Sequence, residues 1–237
     1  MNLTVIIPLY NEEEYILEVL KRIERVTLPG FIKSVEILII DDCSSDNSGN
    51  IVSEYIADKK NYRLITQEKN SGKGSTVKRG FEEGTGDVFF IQDADLELLP
   101  DDLPEMLKAM HELGVEFVNG SRYIPGIVRP ISSYKRYLAN RFFTFLTSVL
   151  INAKLTDMAC GHKLIHRNLI SKINLREKRF GFEAELILKA LRIKKNNIAE
   201  VPVRYFPRNS GEGKKLKSSD AFKILWTIFK YGLLKTK

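Results

Sequence analysis

Over the first half of the chain, short apolar runs that stop at turn residues alternate with stretches whose apolar positions recur every three or four residues. Residues 3–8 read as a strand, and Asn11 follows as a candidate N-cap for a helix reaching about Val26. Residues 35–40 are apolar apart from Glu36 and stop at Asp41-Asp42, after which Ser45 or Asp46 can cap a helix toward Ala57. A strand over 62–66, a helix over 73–83 behind the turn Asn70-Ser71-Gly72, and a strand over 88–92 come next. A helix from about Pro100 and a strand over 115–119 complete this half. Such alternation predicts an α/β fold, a mostly parallel sheet with helices on both faces.

Beyond Gly120 the pattern changes. Residues 132–151 read as an unusually aromatic helix, 182–194 as another helix, 199–205 as a strand and 218–234 as an amphipathic closing helix. A chain of 237 residues suits one domain. Residues 1–123 are expected to form its first half, 124–217 its second and 218–237 a basic C-terminal helix.

Composition refines this picture in one respect. An apolar share of 43% and a charged share of 28% exclude wholesale disorder and a multi-span membrane protein. The net charge of +7 lies entirely in residues 203–237, which suits nucleic acid, anionic lipid or substrate phosphates without choosing among them. Cys43 and Cys160 have neither metal-type spacing nor a disulfide pattern, and no signal sequence precedes the first strand, so a reducing cytosolic setting is expected. The longest apolar run, 142–151, is far short of the ~20 residues that span a bilayer.

In open parallel sheets, ligands gather at the carboxyl ends of the strands. Here those ends carry Pro8-Leu9-Tyr10-Asn11-Glu12, Asp41-Asp42, Asp93-Ala94-Asp95 and Gly120-Ser121-Arg122. Asp93 and Asp95 offer two hard oxygen ligands that Mg²⁺ or Mn²⁺ can share with a diphosphate, and Glu97 adds a third. Taken alone the pair could simply cap a loop; acids ending both the second and fourth strands favour the metal. His162 and His166 fall on an expected strand and read as structural.

Four ordered segments carry a resemblance: Val5-Ile6-Ile7-Pro8-Leu9-Tyr10-Asn11-Glu12, Ile39-Ile40-Asp41-Asp42-Cys43-Ser44-Ser45-Asp46, Asn70-Ser71-Gly72-Lys73-Gly74 and Asp93-Ala94-Asp95-Leu96-Glu97. Together they resemble the motifs of family 2 glycosyltransferases with the Rossmann-like GT-A fold. Gly120-Ser121-Arg122-Tyr123, the run Thr156-Asp157-Met158-Ala159-Cys160-Gly161-His162-Lys163, Phe180-Gly181-Phe182-Glu183 and Glu200-Val201-Pro202-Val203 through Lys215 are similar to the dolichyl- or polyprenyl-phosphate mannose and glucose synthases. The resemblance implies that Pro8, Tyr10, Glu12 and Asp42 contact base and ribose. It also implies that Asp93 and Asp95 serve metal and diphosphate, with Lys73 and Ala94 in the same donor site. Several members have Gln where this chain has Glu97.

The expected reaction is an inverting transfer of a hexose from a UDP- or GDP-sugar to a polyprenyl phosphate, with a saccharide hydroxyl as the alternative acceptor. A hydroxyl acceptor needs a general base, for which Asp157 is the candidate; a phosphate acceptor needs cations instead. Arg122, Arg136, Arg208, Lys214 and Lys215 can supply them. The aromatic and basic helices over 132–151 and 218–234 suit either a core or peripheral attachment to the inner face of a membrane. A P-loop is excluded because Gln67 stands where its first Gly belongs, and a dinucleotide-binding turn after the first strand is missing. A non-enzymatic nucleic-acid-binding protein would explain the basic tail but would place acids against phosphate, so no nucleic-acid partner is expected.

Overall fold

The computed structural model describes residues 1–126, 130, 133–179, 181–195, 197–208 and 218–233. In chain order these form β1 (Asn2–Leu9), α1 (Ile16–Arg25), β2 (Ser34–Asp41), α2 (Ser48–Ile56), β3 (Tyr62–Thr66), α3 (Lys73–Glu83) and β4 (Val88–Ile91). A 3-10 turn at Pro100–Asp102 leads into α4 (Leu103–Leu113), followed by β5 (Phe117–Ser121), α5 (Tyr134–Ile151), β6 (Lys163–His166) and α6 (Arg167–Ile170). The last elements are α7 (Phe182–Lys194), β7 (Ala199–Pro202) and α8 (Ser218–Leu233).

All seven strands of the described residues share one sheet, in the order β3-β2-β1-β4-β6-β5-β7. Pairing is parallel except where β6 lies antiparallel between β4 and β5. Strands from both predicted halves of the chain therefore build the same layer. Alternation along β1 sends Leu3, Val5, Ile7 and Leu9 into a core beneath α1 and α4, and Ile6 into a second core beneath α3 and α7. On α1 the buried positions Ile16, Val19, Leu20 and Ile23 keep helical spacing. α7 is buried on every side over Ala184–Leu191, as a helix enclosed between sheet and neighbours must be. α3 approaches β1 so closely that a Cβ on Gly80 would strike Ile6.

Several predicted boundaries move. Asn11 does not cap α1: it adopts φ 49° and bonds across to Ser45, and the helix starts only at Ile16. α2 starts at Ser48, whose N–H donates to the Asp46 carboxylate at 3.0 Å. The fifth strand runs two residues later than expected, over Phe117–Ser121. The last strand ends at Pro202, with an isolated bridge from Tyr205 to Leu98.

Candidate active site

From β1 the chain winds outward through β2 and β3, then returns to place β4 on the other side of β1. The crevice beyond the carboxyl ends of β1 and β4 is thus the switch point at which α/β sheets bind ligands. After β1, the segment Asn11–Glu13 is laced to the loop after β2: Asn11 N–H donates to Ser44 Oγ, Glu12 N–H to Ser48 Oγ and Glu13 N–H to Asp46. After β4, the buried Gln92 amide donates to the carbonyls of Asp93 and Leu98 and closes the intervening loop. Inside that loop Leu96 adopts φ 57°, a strained conformation for a branched side chain, and Glu97 N–H then donates to Asp95 Oδ1 at 3.0 Å.

The two acids of Asp93-Ala94-Asp95 are each met by a cation of the chain itself. Lys73, opening α3, lies 2.7 Å from Asp93 and 2.9 Å from Glu183 of α7. Arg208, from the segment after β7, reaches Glu12 at 2.8 Å and Asp95 at 3.2 Å, and its backbone N–H donates to Glu97. Burial works to raise the Asp93 carboxyl, but Lys73 outweighs it and holds the group below the usual range. Asp95 goes the other way: burial, with the charges of Asp93 and Glu97, pushes it up to about 7 against the pull of Arg208. Gly161 packs so tightly on Asp93 that a Cβ there would collide with the carboxylate. Ala94 is buried between the two acids.

On the far side, Arg122 and Asp157 form a bidentate pair at 2.7 and 2.9 Å. Asp157 is fully buried and also accepts from the backbone N–H of Arg122 and from Asn140. Burial alone would raise its carboxyl, yet Arg122 holds it below the usual range. Arg122 stacks near the ring of Tyr205, whose hydroxyl donates to Glu97 at 3.3 Å, so the arginine and the Asp95 loop share one wall.

The other predicted residues scatter somewhat. Asp42 accepts from Gln67 Nε2 and from the N–H groups of Ser71 and Gly72, which fixes the turn before α3. Pro8 and Tyr10 lie at the end of β1, partly buried. Arg136 sits exposed on the first turn of α5, and among the described residues no hydrogen bond or ion pair joins it to the carboxylates. Lys214 and Lys215 lie outside the described residues. No group of three His, Cys, Asp or Glu side chains gathers as a metal cluster among the described residues, and Glu97 accepts from Tyr205 and Arg208.

Sequence reasoning assigned no role to Glu183, Lys163 or Glu200. Glu183 stood in a quoted motif and holds Lys73. Lys163 is wholly buried and donates to Asn119 Oδ1; the Asn119 amide in turn donates to the Asp157 carbonyl and to Glu200. Glu200 also accepts from the N–H and hydroxyl of Thr156, so this network holds Asp157 from behind. His162 is buried against Gln92 and Phe90, a structural role as expected, and burial depresses its pKa to about 3.

Carboxylates and long cationic side chains thus converge at the switch point of the α/β sheet. The chain belongs to glycosyl transferase family 2, whose profile matches residues 4–173. It is 30% identical over 232 residues to a dolichol-phosphate mannosyltransferase of Pyrococcus furiosus, covering 97% of this chain and 63% of that protein. A polyprenol monophosphomannose synthase of Mycolicibacterium smegmatis is 26% identical, with 97% of this chain and 86% of that protein covered. Among solved structures, glucosyl-3-phosphoglycerate synthase of Mycobacterium tuberculosis with UDP superposes with a TM-score of 0.73 at 18% identity, over 98% of this chain and 80% of that one. The fold is thus the GT-A fold that the motifs implied.

Proposed function

We propose that the chain transfers a hexose, with inversion, from a UDP- or GDP-linked sugar to a polyprenyl phosphate such as dolichyl or undecaprenyl phosphate. The observation that carries this reading is the state of Asp157. A hydroxyl acceptor would need a carboxylate ready to take a proton, whereas this one is buried, of low pKa and committed to Arg122 at both oxygens. A phosphate acceptor is anionic near neutral pH and needs no base. The names of the similar proteins point the same way.

In this reading residues 1–123 hold the donor, apart from Arg122 near their end, and 124–217 serve the acceptor. Pro8, Tyr10, Glu12 and Asp42 flank the nucleoside, and Lys73 faces the diphosphate. Arg122 and Arg208, with Lys214, orient the acceptor phosphate, and Arg136 is a weaker candidate at the rim. An acceptor oxygen attacks the anomeric carbon from the face opposite the nucleoside diphosphate, which leaves with the electron pair of the broken C–O bond. The donor set of Asp93 and Asp95, with Glu97 beside them, fits Mg²⁺ or Mn²⁺, which commonly takes one or two carboxylates and completes its shell with phosphate oxygens and water. When bound, the metal neutralises charge growing on the leaving diphosphate. Lys73 and Arg208, which hold these acids in the structure, are placed to turn toward phosphate oxygens instead.

Peripheral attachment to the inner face of a membrane completes the proposal. No helix among the described residues is long and apolar enough to cross a bilayer. α5 is instead inverted: it buries Asn140, Thr144 and Thr147 and exposes Leu138, Phe142, Phe145 and Val149. The test is a panel of sugar nucleotides with Mg²⁺ or Mn²⁺ and either polyprenyl phosphate or saccharide acceptors, read by mass. A lipid-linked hexose is expected; product with saccharides alone would transfer the assignment to the hydroxyl acceptor.

A further inference from the structure

Beside the turn Asn70-Ser71, an open cavity of about 470 Å³ is lined by Lys69, Arg176, Lys178, Arg179 and Lys223, with Glu177 as its one acid. Glu177 turns its carboxylate to α8, accepting from Lys230 at 3.0 Å and from the Tyr231 hydroxyl at 3.2 Å. Among the described residues no carboxylate lies within ion-pair distance of Lys69, Arg176, Lys178 or Arg179. The backbone beneath these cations is fixed. Arg176 and Glu177 N–H groups donate to the buried Glu185 carboxylate, Ser75 N–H donates to the Lys178 carbonyl, and Asp42 holds the turn bearing Ser71. Like charges kept this close on a rigid frame call for an anion.

What lies beside the cavity says which one. Lys223 belongs to α8, whose neighbouring face exposes Phe222 (78%), Trp226 (65%), Phe229 and Leu233 at helical spacing. α5 packs on α8, with Leu150 against Gly232, and carries its own exposed Phe142, Phe145 and Val149. A soluble anion would have no use for that apolar face, whereas a phospholipid presents a phosphate above an apolar layer.

We propose that this cavity receives the phosphate of an anionic phospholipid headgroup while the apolar face of α8 beside it enters the lipid layer. This rests on the peripheral attachment put forward above and adds to it a defined headgroup site, separate from the acceptor phosphate.

Trp226 is the only tryptophan of the chain, so its fluorescence reports directly on α8. Wild-type protein and the double variant Arg176→Gln/Arg179→Gln are titrated, without donor or metal, with vesicles of phosphatidylcholine alone or mixed with phosphatidylglycerol. Brominated acyl chains in a second set serve as quenchers. The expected result is a blue shift and quenching with the anionic vesicles, weakened in the double variant about fivefold per lost charge, roughly 25-fold in all. Its far-UV circular dichroism and melting temperature should match the wild type. Equal binding of both proteins to anionic vesicles, or equal binding of wild type to the two compositions, overturns the headgroup site and leaves attachment standing. Displacement by free glycerol phosphate at the concentration of accessible lipid phosphate overturns the lipid as its source. Binding to neither vesicle sinks this site and the attachment together, and transfer to a short, water-soluble polyprenyl phosphate then still reports on the reaction by itself.

Discussion

Replacing Asp157 by Asn preserves the size of a side chain that is fully buried and removes its charge. The amide cannot accept the two parallel hydrogen bonds that Arg122 makes at 2.7 and 2.9 Å, and its NH₂ is forced to face another donor, either Arg122 or Asn140. Breaking a buried ion pair from one side costs about 3–5 kcal/mol. Because 15% of the Arg122 side chain remains open to water, which relieves part of the stranded charge, the loss expected is about 3 kcal/mol. That is a large share of the about 5–15 kcal/mol that holds a typical domain together. Urea unfolding followed by circular dichroism measures it as a fall in midpoint at unchanged slope. The pH dependence adds a second check. Asp157 has a native pKa below its unfolded value, so its contribution is complete above about pH 4 and fades as pH falls through the native value. The gap between wild type and variant should therefore be constant near neutrality and close in acid. A loss below about 1 kcal/mol, or a gap that persists unchanged in acid, would refute the view of Asp157 as the buried counter-ion of Arg122.

Asp95→Asn should abolish metal-dependent transfer while leaving the protein folded. Because the native pKa of Asp95 stands at about 7, above its unfolded value, wild-type stability declines as pH rises from about 4 to 7, and the variant should lack that decline; a variant that keeps both activity and slope contradicts this role. Mn²⁺ binding below about pH 7 must release the Asp95 proton, so apparent affinity should climb about tenfold per pH unit and level off above 7, as read by calorimetry in buffers of different ionisation enthalpy. A pH-independent affinity excludes that linkage. Gly161→Ala forces a methyl onto the Asp93 carboxylate and should raise the metal concentration needed for half-maximal transfer, with a folding cost of about 1–3 kcal/mol; wild-type metal dependence would mean that Asp93 has room to spare.

Local pattern made parts of the fold legible. α3 and α7 start and stop at the expected residues, because Gly72 before the one and the acidic first turn of the other punctuate the sequence directly. Asn11 misled because its side chain is used across the loop by Ser45, a tertiary partner that no local rule supplies. The fifth strand runs later than its pattern suggests because Asn119 and Ser121, polar residues typical of a strand end, find partners in Lys163, Asp157 and Thr156. That β6 enters antiparallel between β4 and β5 is a matter of long-range pairing, invisible to periodicity. In the site, the acids announced themselves by sitting at strand ends. Their counter-ions did not: Arg208 lies 113 positions from Asp95, and Glu183 110 from Lys73.

A helix that turns its asparagine and threonines inward and its phenylalanines outward is poorly suited to plain buffer. With α8 alongside contributing Phe222 and Trp226, two copies kept without lipid or detergent gain by pressing these faces together. Sedimentation of the purified protein should accordingly shift with concentration, and crystals grown in aqueous conditions will tend to bury this face against another copy.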